Sequence, residues 1–313
     1  MAAALLVAAW HVWRNVAQQY AAEESPAQTP VGDLEALLAI PDGAGQEGGR
    51  ALDPATRTLI QEAVAVVRRL LEQYPDDPGP LCVLAQLHQQ LGNTDQAMAL
   101  WEKCLALAPG FFDAHLGRGS VYVERGEFDK AEAALRQALD TLPDSVPAAV
   151  LLANALTSQG KFRETVALLE PRTRGAAPPM PCLLLLGQAH LQLRQYDKAK
   201  SCFEAAVRMA PEYPNARYGL ATACARLGQE EEAARHMRRF RELESAGLGR
   251  RRDDARSFDD AAALRQAVAA TYAAAAGLYA QRGAEAQAQA LWREAARLEP
   301  SGQSAGADST PQR

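Results

Sequence analysis

The sequence predicts an all-α protein, a right-handed superhelical solenoid of about six stacked helical hairpins. Three observations point there. Alanine and leucine dominate a 313-residue chain that is 48% hydrophobic but only 6% aromatic, and such residues lose least on entering a helix, whereas β-branched and aromatic residues supply sheets. The segments "LGNTDQAMALWEKCLALAP", "RGEFDKAEAALRQALDTLP" and "LRQYDKAKSCFEAAVRMAP" align at offsets of 34 and 68 residues, a period of 34. Small and large residues keep fixed places within that period.

Residues 1–22 begin "MAAALLVAAWHVW", apolar from Ala2 to Trp13 apart from His11, and then meet Arg14. The run is shorter than the roughly 20 residues that cross a bilayer. Trp10 and Trp13 suit a membrane interface, and no lysine or arginine precedes them. The favoured reading is a membrane tether or export segment through residues 1–20, placing the protein in the cell envelope. A frayed amphipathic helix on a cytoplasmic protein is the alternative. Residues 23–53, rich in Gly, Pro, Ala and Gln, are expected to form a flexible tether with one short helix at about 33–39. Within 54–77, Pro54 to Tyr74 is amphipathic, with Leu59, Ala63, Val66 or Val67, and Leu70 on one face. Pro75 lies 34 residues before Pro109, so this helix takes the second-helix slot of a degenerate leading unit and is predicted to cap the array.

Five units tile residues 78–247 without insertion, starting at Pro78, Phe112, Val146, Met180 and Pro214. Position 8 reads Ala85, Gly119, Ala153, Gly187 and Ala221; position 15 reads Gly92, Gly126, Gly160, Arg194 and Gly228; position 24 reads Trp101, Leu135, Leu169, Phe203 and Met237. Each unit is read as a helix of about 13 residues, a turn where glycine accepts positive φ, and a second helix closed near position 32 by proline. The proline-rich stretch "EPRTRGAAPPMP" from Glu170 has the composition of an interdomain linker, yet the interval from Gly160 to Arg194 is still 34 residues. It is therefore a shortened second helix, ended early by Pro171, in a continuous array.

Residues 248–268 interrupt the period. They begin "LGRRRDDARS" and continue into a helix that extends the first helix of a sixth unit at 269–302, with Ala276, Tyr279, Gly283, Ala288, Trp292 and Pro300 in phase. Residues 303–313 read as a disordered tail.

The residues Leu81, Leu84, Ala85, Ala97, Trp101 and Pro109 of the first unit resemble the tetratricopeptide repeat. So do Gly119, Tyr122, Ala131, Ala138 and Pro143 of the second, and Leu186, Gly187, Ala199, Phe203, Ala206 and Pro211 of the fourth. Units three and five match less well, with Arg172 and Phe240 at position 27. The resemblance spans residues 78–302 and implies that positions 2, 5, 9, 12 and 13 line a groove for a peptide or partner helix. Position 9 is polar throughout (Gln86, Ser120, Asn154, Gln188, Thr222), and position 5 forms an adjacent strip of Cys82, Leu116, Val150, Leu184 and Tyr218. Leu185 is expected to face the groove beside Leu184. Members that grip a C-terminal carboxylate place lysine or arginine at positions 2, 5 and 6; the first five units have none there. A neutral or apolar ligand segment is the expectation.

Other chemistries find little support. A net charge of −5 disfavours nucleic acid, whose binders carry basic faces. The five cysteines (Cys82, Cys104, Cys182, Cys202, Cys224) include no CxxC and read as small buried apolar residues. No HExxH, GxSxG, P-loop or GxGxxG occurs. His88 and His190 at position 11 and His115 at position 4 occupy packing slots, and with His236 they lack metal-ligand spacing. No catalytic residue, metal or cofactor is expected. The basic run from Arg235 to Arg252 is flanked by Glu230–Glu232 and by Asp253 and Asp254, which favours a solvated, internally paired face over a binding patch. The reading is a non-enzymatic adaptor for a protein or peptide partner. Alternatives are a regulatory or substrate-recruiting subunit of a separate enzyme and a protein that self-associates through its sixth unit.

Overall fold

A computed structural model describes residue 38, residues 54–175, 177–256 and 260–298. The expected anchor at 1–22 and tail at 303–313 lie outside the described residues, as does the 23–53 tether except helical Leu38. The chain divides into two units, Met1–Ala39 and Ile40–Arg313. The second unit carries all of the repeats.

Its described residues form helices joined by short turns, with no strand among them: α1 (Pro54–Gln73), α2 (Pro78–Gln90), α3 (Thr94–Leu107), α4 (Phe112–Glu124), α5 (Phe128–Thr141), α6 (Val146–Ser158), α7 (Phe162–Leu169), α8 (Met180–Gln192), α9 (Tyr196–Met209), α10 (Pro214–Arg226), α11 (Glu230–Arg256), α12 (Asp260–Gln281) and α13 (Glu285–Leu298). The five first helices α2, α4, α6, α8 and α10 each have 13 residues and begin at position 1 of the repeat. Proline fits the first turn of α2, α6, α8 and α10, where its missing N–H has no helical partner, and side chains satisfy orphan donors at two of the five. Asp77 accepts from Gly79 N at 2.8 Å, and Ser145 from Ala148 N at 3.3 Å.

Each hairpin turns on a residue with positive φ. Gly92, Gly126, Gly160, Gly228 and Gly283 lie between +72° and +78°, and Arg194 takes the same place at +58°. The next amide closes a six-residue ring, as when Asn93 N donates to His88 O at 2.8 Å and Gln195 N to His190 O at 2.9 Å. Arg194 holds a left-handed conformation that a Cβ disfavours by about 1 kcal/mol. Arg194→Gly is therefore expected to raise the thermal midpoint by about 2–4 °C, read by differential scanning calorimetry.

Pro171 ends α7 after only eight residues, and a short 3₁₀ turn follows at Pro171–Thr173. Arg172 occupies a place that is small in units one, two and four, and its guanidinium uses the space by donating to Leu168 O at 2.6 Å and Pro143 O at 2.5 Å. Packing continues across the proline-rich segment, since Ala149, Ala153 and Leu169 share one apolar cluster with Cys182 and Leu186 of α8. There is no domain break here.

The junction of units two and three is tied by Glu132. Its carboxylate receives Lys161 Nζ at 2.7 Å, Gln159 Nε2 at 3.0 Å and Arg136 at 2.8 Å. Burial pushes its pKa up, but the hydrogen bonds from Lys161 and Gln159 and the charge of Arg136 outweigh that and hold it below the usual carboxylate range. A depressed folded pKa contributes stability that is present above the unfolded value, about 4.3, and is lost as pH falls through the folded one. Glu132→Gln should thus lower the urea midpoint at neutral pH and weaken its fall below about pH 4.3.

Two features depart from the tiling. Serine rather than proline stands at position 32 of unit five (Ser245), and nothing stops the second helix. It runs on to Arg256 as α11, 27 residues and about 40 Å long, into the 248–268 insertion that was expected to interrupt the period. The larger departure concerns the sixth hairpin. Its first helix, α12, packs on α1 and α2, so Leu264, Val268, Tyr272, Ala275, Ala276 and Tyr279 share a core with Ile60, Ala63, Val66 and Leu70 of α1, and with Leu87 and Leu91 at the end of α2. The reason is coverage: both α1 and α2 present apolar surface that no earlier hairpin hides. Beside this core, Arg282 pairs with Asp77 and stacks 4.7 Å above the Tyr74 ring, while Leu278 rests on Gly79. Helix α1 is an inner element, not the cap. The cap is α13, whose outward face carries Glu285, Gln287, Gln289, Arg293, Glu294 and Arg297 between small alanines, with Trp292, 44% exposed, its one large apolar side chain.

Candidate functional site: an uncharged recess across three first helices

Helices α6, α8 and α10 form the wall of a recess of about 590 Å³. Residues three to four apart share a helix face. Positions 5 and 9 therefore project together, and they bring in Val150 and Asn154 from α6, Leu184 and Gln188 from α8, and Tyr218 and Thr222 from α10. Leu185 lies beside Leu184, and Pro181, Asn215, Leu191 and Gln192 come from positions 2, 12 and 13. Phe203 of α9 and Tyr213, just ahead of α10, complete the lining.

Phe203 reaches the recess because glycine faces it from two helices. A Cβ on Gly219 would lie 2.4 Å from the ring and one on Gly187 2.8 Å from it. Tyr218 is half exposed and tilts against Phe240 of α11, with ring centroids 5.3 Å apart. Phe240 at the normally small position 27 thus supports a groove aromatic.

The polar groups are amides and one hydroxyl. Thr222 Oγ1 donates to Tyr218 O at 2.9 Å, which leaves its lone pairs as acceptors. Among the described residues the side-chain amides of Asn154, Gln188, Gln192 and Asn215 have no protein partner, and each can both donate and accept. No charged side chain lines the recess among the described residues. His190, next to Ala189 on α8, is buried with Nδ1 2.7 Å from Gln195 Oε1, and burial holds its pKa below the usual imidazole value despite that bond. It stays neutral at pH 7.

Four groove candidates fall elsewhere. Cys82 is 3% exposed, its short side chain turned onto Cys104 within its own hairpin at Sγ···Sγ 3.0 Å, so it offers no groove surface. Leu116 packs into the core of units two and three. Ser120 is occupied by Gln89, which donates to it at 3.3 Å, and by Glu124, to which it donates at 3.3 Å. Gln86 is exposed outside the recess. Phe203 and Tyr213 line the recess without having been expected to; the glycines at 187 and 219 facing Phe203 were the available signal.

Among the described residues no group of three His, Cys, Asp or Glu side chains is placed to hold a metal. His88 and His115 are buried, and His115 Nε2 lies 2.7 Å from Pro109 O. The described part of the basic run is paired at Arg239 and His236. Arg239 meets Glu212 and Glu242, and Arg217 donates to His236 Nδ1 at 3.2 Å, beside the Lys200–Glu232 pair. No helix among the described residues is long and apolar enough to cross a membrane.

Stacked helical hairpins presenting a row of first helices define an α-solenoid of the protein-interaction class. The family model for the tetratricopeptide repeat matches residues 82–149 and 184–245, and one described as anaphase-promoting complex, cyclosome, subunit 3 matches 124–206. The chain belongs to the tetratricopeptide-repeat family. It is 32% identical over 99 residues to Protein CTR9 homolog of Arabidopsis thaliana, covering 31% of this chain and 9% of that protein. It is 24% identical over 176 residues to BBSome complex member BBS4 of Bos taurus, covering 56% of this chain and 34% of that protein. The chain thus spans about a third or less of these curated relatives. The solved structure of YrrB, a TPR protein with an unusual peptide-binding site, superposes with a TM-score of 0.51 at 19% identity, over 57% of this chain and 92% of YrrB.

Proposed function

We propose that this chain is a non-enzymatic adaptor that holds an uncharged segment of another protein in the recess formed by α6, α8 and α10. The observation that carries this reading is the pairing of free amides with an apolar floor and no charge. Asn154, Gln188, Gln192 and Asn215 can bond a peptide backbone, while Leu184, Leu185 and Phe203 accept an apolar side chain. A buried carboxylate would find no cation there, which separates this groove from one that grips a C-terminus. Asn154→Arg combined with Gln188→Arg should reduce capture of the native partner at least about tenfold with unchanged helicity, measured by pulldown from the native cell and by circular dichroism. Undiminished capture, or selective retention of peptides with an acidic free C-terminus, would overturn the assignment.

The apolar run from Ala2 to Trp13 supports a second part of the reading, a tether to the membrane or an export segment. Fractionation of the full chain beside one lacking residues 1–22 tests it. The tether predicts that only the full chain sediments with membranes or leaves the cytoplasm.

A further inference from the structure

The recess uses none of the five cysteines, and two of them stand together elsewhere. Cys82 lies one turn into α2, and Cys104 lies one turn before the end of α3, on facing helices of one hairpin. Their sulfurs are 3.0 Å apart, inside the sum of two sulfur radii, and both residues are buried. Cys104 Sγ also lies 3.4 Å from Pro78 O, so its side chain is held toward α2. Closing the gap to a bond of about 2.05 Å takes about 1 Å of travel, which two χ1 adjustments on packed helices can supply. No other sulfur pair among the described cysteines is in such contact, and all five are free thiols.

We propose that Cys82 and Cys104 form a thiol–disulfide site that takes electrons from or gives them to a small-molecule thiol or disulfide. In the oxidising direction, one Sγ loses its proton and attacks a sulfur of the small disulfide, and one thiolate leaves. The second Sγ, deprotonated in turn, attacks the mixed disulfide. The Sγ–Sγ bond forms, the second small thiolate leaves, and the two protons released by the cysteines end on the two small thiols. Two electrons pass from the protein to the small molecule. Mutual hydrogen bonding and burial push the Cys82 thiol well above the usual range. Exchange therefore proceeds through transient opening of the α2–α3 hairpin, at a slow rate.

The location gives the bond a structural consequence. Asp77, which caps α2 through Gly79 N, is also the partner of Arg282 from the returning sixth hairpin. Oxidation would pin the hairpin on which α12 is seated, closing a loop that includes residues 83–103.

The test uses the full chain equilibrated with oxidised glutathione at mildly alkaline pH, quenched with acid, unfolded, alkylated and mass-mapped. The expected product carries three alkyl groups instead of five, has lost two hydrogen masses, and contains a peptide joining Cys82 to Cys104. Its thermal midpoint should rise by about 5 °C, and a dithiol reductant should reverse the change. Cys104→Ala should abolish the link and Cys202→Ala should leave it intact. Full alkylation of both cysteines after equilibration, or glutathione retained on Cys82 or Cys104 singly, would overturn the proposal. The wild-type peptide map decides the question even where a variant fails to fold.

Discussion

Val268→Asp is expected to unfold the amino-terminal end of the array while leaving the recess in place. Val268 has no exposed surface and lies among Ile60, Leu70, Leu87 and Tyr272 in the core shared by α1, α2 and α12. A carboxylate there has no cationic partner within that apolar cluster, and the cost is about 4 kcal/mol or more. The thermal midpoint should fall by roughly 10 °C. The location of the damage is the sharper readout, because a solenoid's stability is close to a sum of nearest-neighbour contacts. Amide hydrogen exchange should accelerate in α1, α2 and α12, about 200 residues apart in the chain, and stay slow in α8, α9 and α10. Acceleration confined to α11 and α12, with α1 and α2 still protected, would mean that the sixth hairpin stacks on unit five as its sequence position suggests.

That outcome matters for how much the sequence disclosed. The repeat phase located the five tiled hairpins closely, and each of their first helices starts at the position the tiling assigned, including α8 beyond the proline-rich stretch. Periodicity succeeds there because helix start, turn and helix stop are local: proline near the start, a positive-φ residue at the turn, a stop near position 32. It is silent about which hairpin covers which when the covering pair is remote in sequence. Helix α1 was legible through Pro75 as the second helix of a degenerate leading unit, but no first helix in phase with it was legible, so its apolar face had no assignable partner, and coverage by α12 emerges only from three-dimensional packing. The same limit applies to Cys82. Position 5 faces the groove in Val150, Leu184 and Tyr218, but in unit one a short side chain turns inward to Cys104.

One packing rule links the sequence to the stacking of the units. Where position 24 is aromatic, position 6 of the next unit is glycine: Trp101 faces Gly117, and Phe203 faces Gly219. Where position 24 is leucine, position 6 is leucine too: Leu135 with Leu151, and Leu169 with Leu185, each pair within one cluster. A large side chain at each unit boundary is thus met by the smallest partner and a medium one by a medium one, a matching of sizes across the boundary that close packing favours. In unit four the matching has a functional side, since Gly219 admits Phe203 to the recess.

The rule makes a quantitative prediction at the first boundary. Gly117→Leu alone should cost about 3 kcal/mol, because a Cβ there would sit 2.3 Å from Trp101 Cζ2 and the fully buried indole has nowhere to move. Trp101→Leu alone should cost about 3 kcal/mol through the void it leaves. Combined, the two leucines recreate the arrangement of Leu135 and Leu151, and the double variant should be more stable than the sum of the single losses implies by about 1–3 kcal/mol. Replacing a mid-helix glycine also adds about 1 kcal/mol of helix propensity, but that gain is already present in Gly117→Leu alone and cancels in the cycle. Urea unfolding of the four proteins gives the coupling directly. Losses that simply add would show that the large and small residues at the unit boundaries are independent of one another, and the size-matching account of the stacking would have to be abandoned.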